Sequence, residues 1–174
     1  YTEAMRDLPG EATPENMQIV IDETNRLTTL VNDMLEVSRY QNGMQKLNIT
    51  HFNLTNVIRT TIERYAKLRE KDGYTIKFDR DVFVNADEQR ILQVVYNLIG
   101  NAVNYAGDDK TVIIRQTVEN GEVLLEVIDH GIGIPEDQLP MVWERYYKVN
   151  EFHKRANIGT GLGLSIVKNI LLLH

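Results

Sequence analysis

The chain has 174 residues, 43% of them hydrophobic and 25% charged, a globular mix long enough for one full domain and a smaller appendage. A formal net charge of −6 leaves no basic footprint for nucleic acid and argues against unassisted docking on anionic lipid. With no cysteine there are no disulfides, thiolate metal sites or cysteine nucleophiles, and no apolar run approaches the ~20 residues of a membrane-spanning helix.

In chain order, residues 1–8 read as the tail of a helix, and Pro9-Gly10 with Pro14 brackets a turn. Thr13 is placed to cap the next helix, with Pro14 at its first position. From Glu15 to about Tyr40 the spacing is helical. Met17, Val20, Thr24, Leu27, Val31, Met34 and Ser38 recur at three and four, and Ile21, Leu30, Leu35 and Val37 widen the stripe. A stripe this wide fits a multi-helix bundle better than a two-stranded coil. Asn42-Gly43 ends it. The expected division is a partial helical hairpin over 1–43 and a mixed domain over 44–174.

In the second part, residues 46–52 predict a short strand, and Asn53 caps a helix to about Lys71. Strands follow over 74–78 and 82–85. Asp87 caps a helix to about Tyr105. Strands over 111–118 and 122–128 meet at Asn120-Gly121, a strong hairpin signal. Pro135 starts a short helical stretch toward Tyr147, residues 148–158 are polar and patternless, and a last helix runs over 164–173. Elements mixed in this way, without strict βαβ alternation, predict an α+β fold: a two-layer sandwich with helices on one face of a mostly antiparallel sheet. The last helix reaches His174 without a C-cap glycine or basic last turn, so the chain reads as a piece of something longer.

Three motifs carry chemistry. Asn97 and Asn101, four apart, share one face of a strongly apolar helix. Such amides either sit at the solvent edge or serve as hard oxygen ligands suited to Mg²⁺ shared with phosphates. Asp129-x-Gly131-x-Gly133 is either a strand-to-helix turn or a close approach for a flat ligand, with the carboxylate reading an exocyclic amine. Gly159-x-Gly161-x-Gly163 leads into a helix. It reads as a flexible hinge or as a phosphate cradle of bare N–H groups at a positive helix end. It is neither a Walker loop nor the Rossmann fingerprint. Between the two glycine clusters, Arg145, Lys148, His153, Lys154 and Arg155 form a solvated charged loop or a lid over phosphates, with Trp143, Tyr146 and Tyr147 at its base.

These elements, in this order, resemble the catalytic domain of bacterial sensor histidine kinases on the Bergerat (GHKL) ATP-binding fold. Residues 97–106 (NLIGNAVNYA) resemble the N box, 129–133 (DHGIG) the G1 box, 143–148 (WERYYK) the F box and 159–165 (GTGLGLS) the G2 box. Residues 23–39 (ETNRLTTLVNDMLEVSR) resemble the second helix of the family's dimerisation hairpin, which forms a four-helix bundle in the dimer. The resemblance implies ATP and Mg²⁺ as cofactors. Asn101 would bind the metal, with Asn97 supporting the phosphate and metal region. Asp129 would read adenine, Gly131 and Gly133 would shape the base pocket, and Tyr105 would line it. Gly159, Gly161 and Gly163 would hold phosphates under the lid. Ile134, Tyr147, Lys148, Arg155, Thr160, Leu162 and Leu164 complete the implied ATP-binding set, together with Asn104, which stands where the family usually has a basic residue.

The family's phosphoacceptor motif, a His followed by an acidic residue and a nearby Pro, is absent around His51, His130, His153 and His174. The resemblance therefore implies a core that binds ATP without phosphorylating itself at the usual place. It also implies that the family's final strands lie beyond residue 174, and that the chain is the cytoplasmic portion of a membrane-anchored bacterial protein. The expected function is transfer of the γ-phosphoryl of Mg-ATP to a histidine of the dimerisation helix outside these residues. The expected partners are a second copy, through the hairpin, and a response-regulator receiver domain. The alternatives are a nucleotide-binding dimerisation module without kinase activity, or a hydrolytic ATPase of the same fold. Hydrolytic relatives place a Glu where this chain has Asn97, and an amide cannot act as a general base.

Overall fold

The structure is a computed structural model and describes residues 13–41, 46–68, 73–78, 80–149 and 160–174. It divides into two compact units, Tyr1–Met44 and Gln45–His174. The expected helix tail and turn over residues 1–10, the stop at Asn42-Gly43 and the charged loop over 150–158 lie outside the described residues.

The first unit holds helix α1, Pro14–Gln41. It begins as its sequence requires: Thr13 Oγ1 accepts the Asn16 N–H at 3.2 Å, and the Thr13 carbonyl accepts the Met17 N–H. Met17, Ile19, Ile21, Leu27, Val31 and Met34 are all exposed on the single chain. A lone helix has nothing on which to bury such a stripe.

In the second unit, β1 (Ile49–Asn53) pairs antiparallel with β3 (Phe83–Asp87), from Ile49↔Asp87 to Asn53↔Phe83. A separate three-stranded sheet has the order β2-β4-β5, with β2 at Gly73–Phe78, β4 at Thr111–Glu119 and β5 at Glu122–Asp129. The β4–β5 hairpin closes through Asn120 (φ 52°) and Gly121 (φ 84°), a pair of left-handed residues that matches the twist of the strands. The β2–β4 pair is parallel, because the chain passes through β3 and a long helix before returning beside β2. The strands are thus mostly antiparallel but form two small sheets rather than one.

Helices α2 (Leu54–Leu68) and α3 (Glu88–Tyr105) bring their apolar faces into one core. Ile58 and Ile62 of α2, Val95 and Ile99 of α3, Phe52 of β1, and Val112 and Ile114 of β4 meet there. The side chains of β4 alternate, with Val112, Ile114 and Gln116 all buried. Gln116 is polar in an apolar row and is satisfied by a knot that joins β4 to α2 and to the residues just before β3. Thr55 Oγ1 donates to its Oε1 at 3.1 Å, and its Nε2 donates to the Arg80 carbonyl at 3.2 Å. The same Thr55 oxygen accepts the Val82 N–H at 2.9 Å. Each member of a buried network must be paired in this way, since an orphan costs its full desolvation.

The short helical stretch expected from Pro135 toward Tyr147 consists of two single turns of 3-10 helix, Glu136–Gln138 and Met141–Trp143. Pro140 interrupts the segment, and neither turn has a buried residue on which to found an amphipathic face. Helix α4, Gly163–Leu173, closes the unit by burying Ile166, Val167 and Ile170 and packing against α3.

Candidate functional site

Helix α3 is the spine of the site. Asp87 fixes its start twice over: Oδ1 accepts the Arg90 N–H at 3.2 Å, and Oδ2 accepts the Asn48 N–H at 2.9 Å. Val94, Val95, Ile99, Ala102 and Val103 are buried and set the rotation of the helix. That rotation leaves Asn97 and Asn101 on its flank, both half-buried. Neither carboxamide hydrogen-bonds to another described residue. Asn104 is half-buried and engaged, and Tyr105 is exposed at the helix end.

The Asp129 turn is seated on that end. Asp129 closes β5, and its Oδ1 accepts the Gly131 N–H at 2.8 Å. A Cβ on Gly131 would collide with the Tyr105 carbonyl, and one on Gly107 would collide with the His130 carbonyl. The two backbones therefore interlock glycine against carbonyl, an approach open only to residues without a side chain. Gly133 has φ 73°, again a left-handed position, and Ile134 is exposed.

The second glycine turn lies beside Asn97. A Cβ on Gly163, the first residue of α4, would stand 3.5 Å from Asn97 Oδ1. Helix α4 opens without a side-chain cap, so its first N–H groups are presented bare at the positive end of the helix. Thr160 Oγ1 accepts the Leu162 N–H at 3.2 Å. Leu162 is fully buried, so its side chain belongs to the core beneath the turn, while Leu164 is half-buried. Gly161 (φ 74°) bonds to the aromatic segment through its carbonyl, which accepts the Tyr146 N–H at 2.9 Å. Tyr147 donates its hydroxyl to Gln138 Oε1 at 2.9 Å, and Lys148 is half-buried and engaged. Arg155 and Gly159 lie outside the described residues, with His153 and Lys154.

One pair in this region was not legible in the motifs. His130 Nδ1 stands 2.7 Å from Asp109 Oδ2, and Asp109 Oδ1 accepts the Thr111 N–H at 3.1 Å. The hydrogen bond to His130, then the Thr111 amide, hold the Asp109 carboxyl below its ordinary range. The signal that could have found the pair is the hairpin register. Val112↔Asp129 pairing brings residues just before β4 beside those just after β5, although the two are 21 positions apart in sequence.

Chemically, the flank of α3 offers two half-buried amides, that of Asn97 beside a bare helix start, and its end offers a carboxylate on a side-chain-free turn. Among the described residues no cluster of His, Cys, Asp or Glu could hold a metal by itself. The donor set fits Mg²⁺, which takes oxygen ligands and usually completes its shell with water and substrate phosphates. Among the described residues no helix is long and apolar enough to cross a membrane.

Comparison with known proteins bears on this arrangement. The sensor histidine kinase WalK of Bacillus subtilis is 32% identical over 181 residues, covering 100% of this chain and 30% of that protein. The signal transduction histidine-protein kinase AfsQ2 of Streptomyces coelicolor is 34% identical over 158 residues, covering 91% of this chain and 28% of that protein. The chain thus spans less than a third of the length of either. Among solved structures, the catalytic domain of histidine kinase ThkA superposes with a TM-score of 0.62 at 30% identity, covering 71% of this chain and 80% of that one. The Acinetobacter baumannii histidine kinase AdeS shares the fold over 99% of this chain and 80% of its own, with a TM-score of 0.79 at 23% identity. Residues 86–174, just over half of the chain, match the model of one family, and the chain belongs to it: the histidine kinase-, DNA gyrase B-, and HSP90-like ATPases.

Proposed function

We propose that residues 45–174 form the ATP-binding catalytic unit of a two-component sensor histidine kinase, and that α1 belongs to its dimerisation hairpin. In this reading Asp129 accepts the adenine amine through Oδ2, its Oδ1 being engaged by Gly131. Tyr105, Gly131, Gly133 and Ile134 wall the base. The phosphates run along α3 toward the start of α4, where Thr160, Gly161, Gly163 and Leu164 meet them together with Lys148; Gly159 and Arg155, expected there from the sequence, lie outside the described residues. From Tyr105 back to Asn97 is about 12 Å at 1.5 Å per residue, a span suited to a nucleoside triphosphate laid along the helix. Asn101, supported by Asn97, would hold Mg²⁺, which when bound neutralises phosphate charge.

The observation that carries the proposal is the convergence on α3. One helix has its flank amide against the first residue of α4 and its end interlocked with the Asp129 turn. With Asn97 in place of a carboxylate, no general base stands there to activate water, which favours transfer over hydrolysis. The phosphoryl acceptor is a histidine outside residues 1–174, and an Asp of a response regulator receives it next. The complex of ThkA with the response regulator TrrA shows a partner of that kind for a relative. Two copies would pair through the exposed apolar stripe of α1.

Calorimetric titration with ATP tests the site. Asn101→Ala should abolish the Mg²⁺-dependent part of binding, and Asp129→Asn should weaken preference for ATP over GTP. Unchanged ATP affinity in both variants would overturn the site assignment. A longer protein that includes the upstream helix should take acid-labile, base-stable label from labelled ATP. Intact binding without label would favour a nucleotide-responsive module lacking transferase activity.

A further inference from the structure

The Asp109–His130 pair lies beside the proposed adenine site: His130 falls inside the 129–133 motif at a position to which that motif gives no role, and Asp109 lies outside every motif. We infer that it is a positioning pair that fixes the pitch of the Asp129–Gly133 turn. This rests on the nucleotide reading given above.

Three contacts tie the turn to the end of α3. Two are steric: Gly131 against the Tyr105 carbonyl and Gly107 against the His130 carbonyl. Contacts of that kind set distance but resist sliding only weakly, since a glycine has no side chain to lock. The third is directional. The His130 Nδ1–H donates to Asp109 Oδ2 at 2.7 Å, and Asp109 is itself held by the Thr111 N–H at 3.1 Å, at the first residue of β4. Lys110 takes a left-handed φ of 49° in the same tight turn, and its N–H bonds to the Gly107 carbonyl at 3.0 Å. Asp109 is therefore anchored to a rigid hairpin edge, and His130 is hung from it. His130 is the residue between Asp129 and Gly131, so its position sets the peptide through which the Asp129 carboxylate is aimed. A carboxylate only accepts, so Nδ1 carries a proton in this contact, as it does in the Nδ1–H neutral tautomer and in the cation; the contact therefore does not depend on charging the ring.

The ring of His130 and the Asp109 carboxylate are each about half exposed, so replacing either leaves the core untouched. His130→Ala and Asp109→Ala should each weaken ATP affinity about two- to five-fold, the scale of an exposed charged contact. His130→Asn, whose amide nitrogen stands close to where Nδ1 stood, should restore it. The double variant should bind no worse than either single one, as expected of two halves of one contact. Wild-type affinity in the single variants, additive losses in the double variant, or failure of His130→Asn to rescue would each overturn the inference. If the unaltered protein binds no ATP, the nucleotide reading fails by itself. The pair is then judged by hydrogen exchange of the Gly131 amide: faster exchange in His130→Ala, reversed in His130→Asn, supports it, and unchanged exchange refutes it.

Discussion

Gly131 and Gly133 stand two positions apart in one turn and are glycines for different reasons. At Gly131 a methyl group would run into the Tyr105 carbonyl and would approach Asp129 Oδ1 to 2.7 Å, and backbone cannot yield as a side chain can. At Gly133 the space is open and the only obstacle is φ 73°. Gly131→Ala should therefore cost about 3 kcal/mol or more, the upper range of overpacking, and weaken nucleotide binding. Gly133→Ala should cost about 1–2 kcal/mol, the scale of left-handed strain. Paired urea melts check the order, and equal losses would contradict the steric account. Asp109 offers a second test. The hydrogen bond to His130 and the Thr111 amide hold its carboxyl below the ordinary aspartate range, so the contact with His130 is fully present above that range and is lost as pH falls through the lowered one. By carbon NMR, Asp109 should titrate below an ordinary aspartate, and His130→Ala should move it back up.

Single side chains decide where helices begin. Asp87 ends β3 and starts α3, accepting the Arg90 N–H of its own helix and the Asn48 N–H at the entry to β1. Asp87→Ala should cost about 1–2 kcal/mol by loss of the cap and leave the Asn48 amide unpaired as well. Asp87→Asn keeps one acceptor and should lose less. Gly161 plays the joining role at the far end. A Cβ there would sit 2.9 Å from Tyr146 Cα, and the carbonyl of Gly161 holds the Tyr146 N–H. Gly161→Ala should detach the aromatic segment from the start of α4. The expected readout is a shift in Trp143 fluorescence together with weaker ATP binding, and a spectrum identical to wild type would count against the tie. Tyr146 itself has φ 62°, a strain of order 1–3 kcal/mol for a non-glycine residue, sustained in part by this same bond.

At the scale of the whole molecule, the two compact units predict separable behaviour. The unit at 45–174 has its own continuous core, whereas α1 exposes six large apolar side chains among those described over residues 17–34. Residues 45–174 alone should sediment as a monomer and bind ATP as the full chain does, while self-association should require residues 1–44. A monomeric full chain at high concentration would sink the dimer reading.

Much of this was written in local sequence. Thr13, Asn53 and Asp87 are caps as their side chains require, and Asn120-Gly121 is the hairpin it encodes, because caps and tight turns are settled by neighbours within a few residues. The amide pair on α3 and the two glycine turns were equally plain, since helical spacing and glycine content are local properties. Tertiary structure alone decided the parallel return of β4 beside β2, the split into two sheets and the pairing of Thr55 on α2 with Gln116 on β4. It alone brought Asn97 to Gly163 and His130 to Asp109. Those contacts join residues far apart in the chain, and only the shared core that fixes the rotation of α3 and the register of β4 on β5 determines which side chains meet.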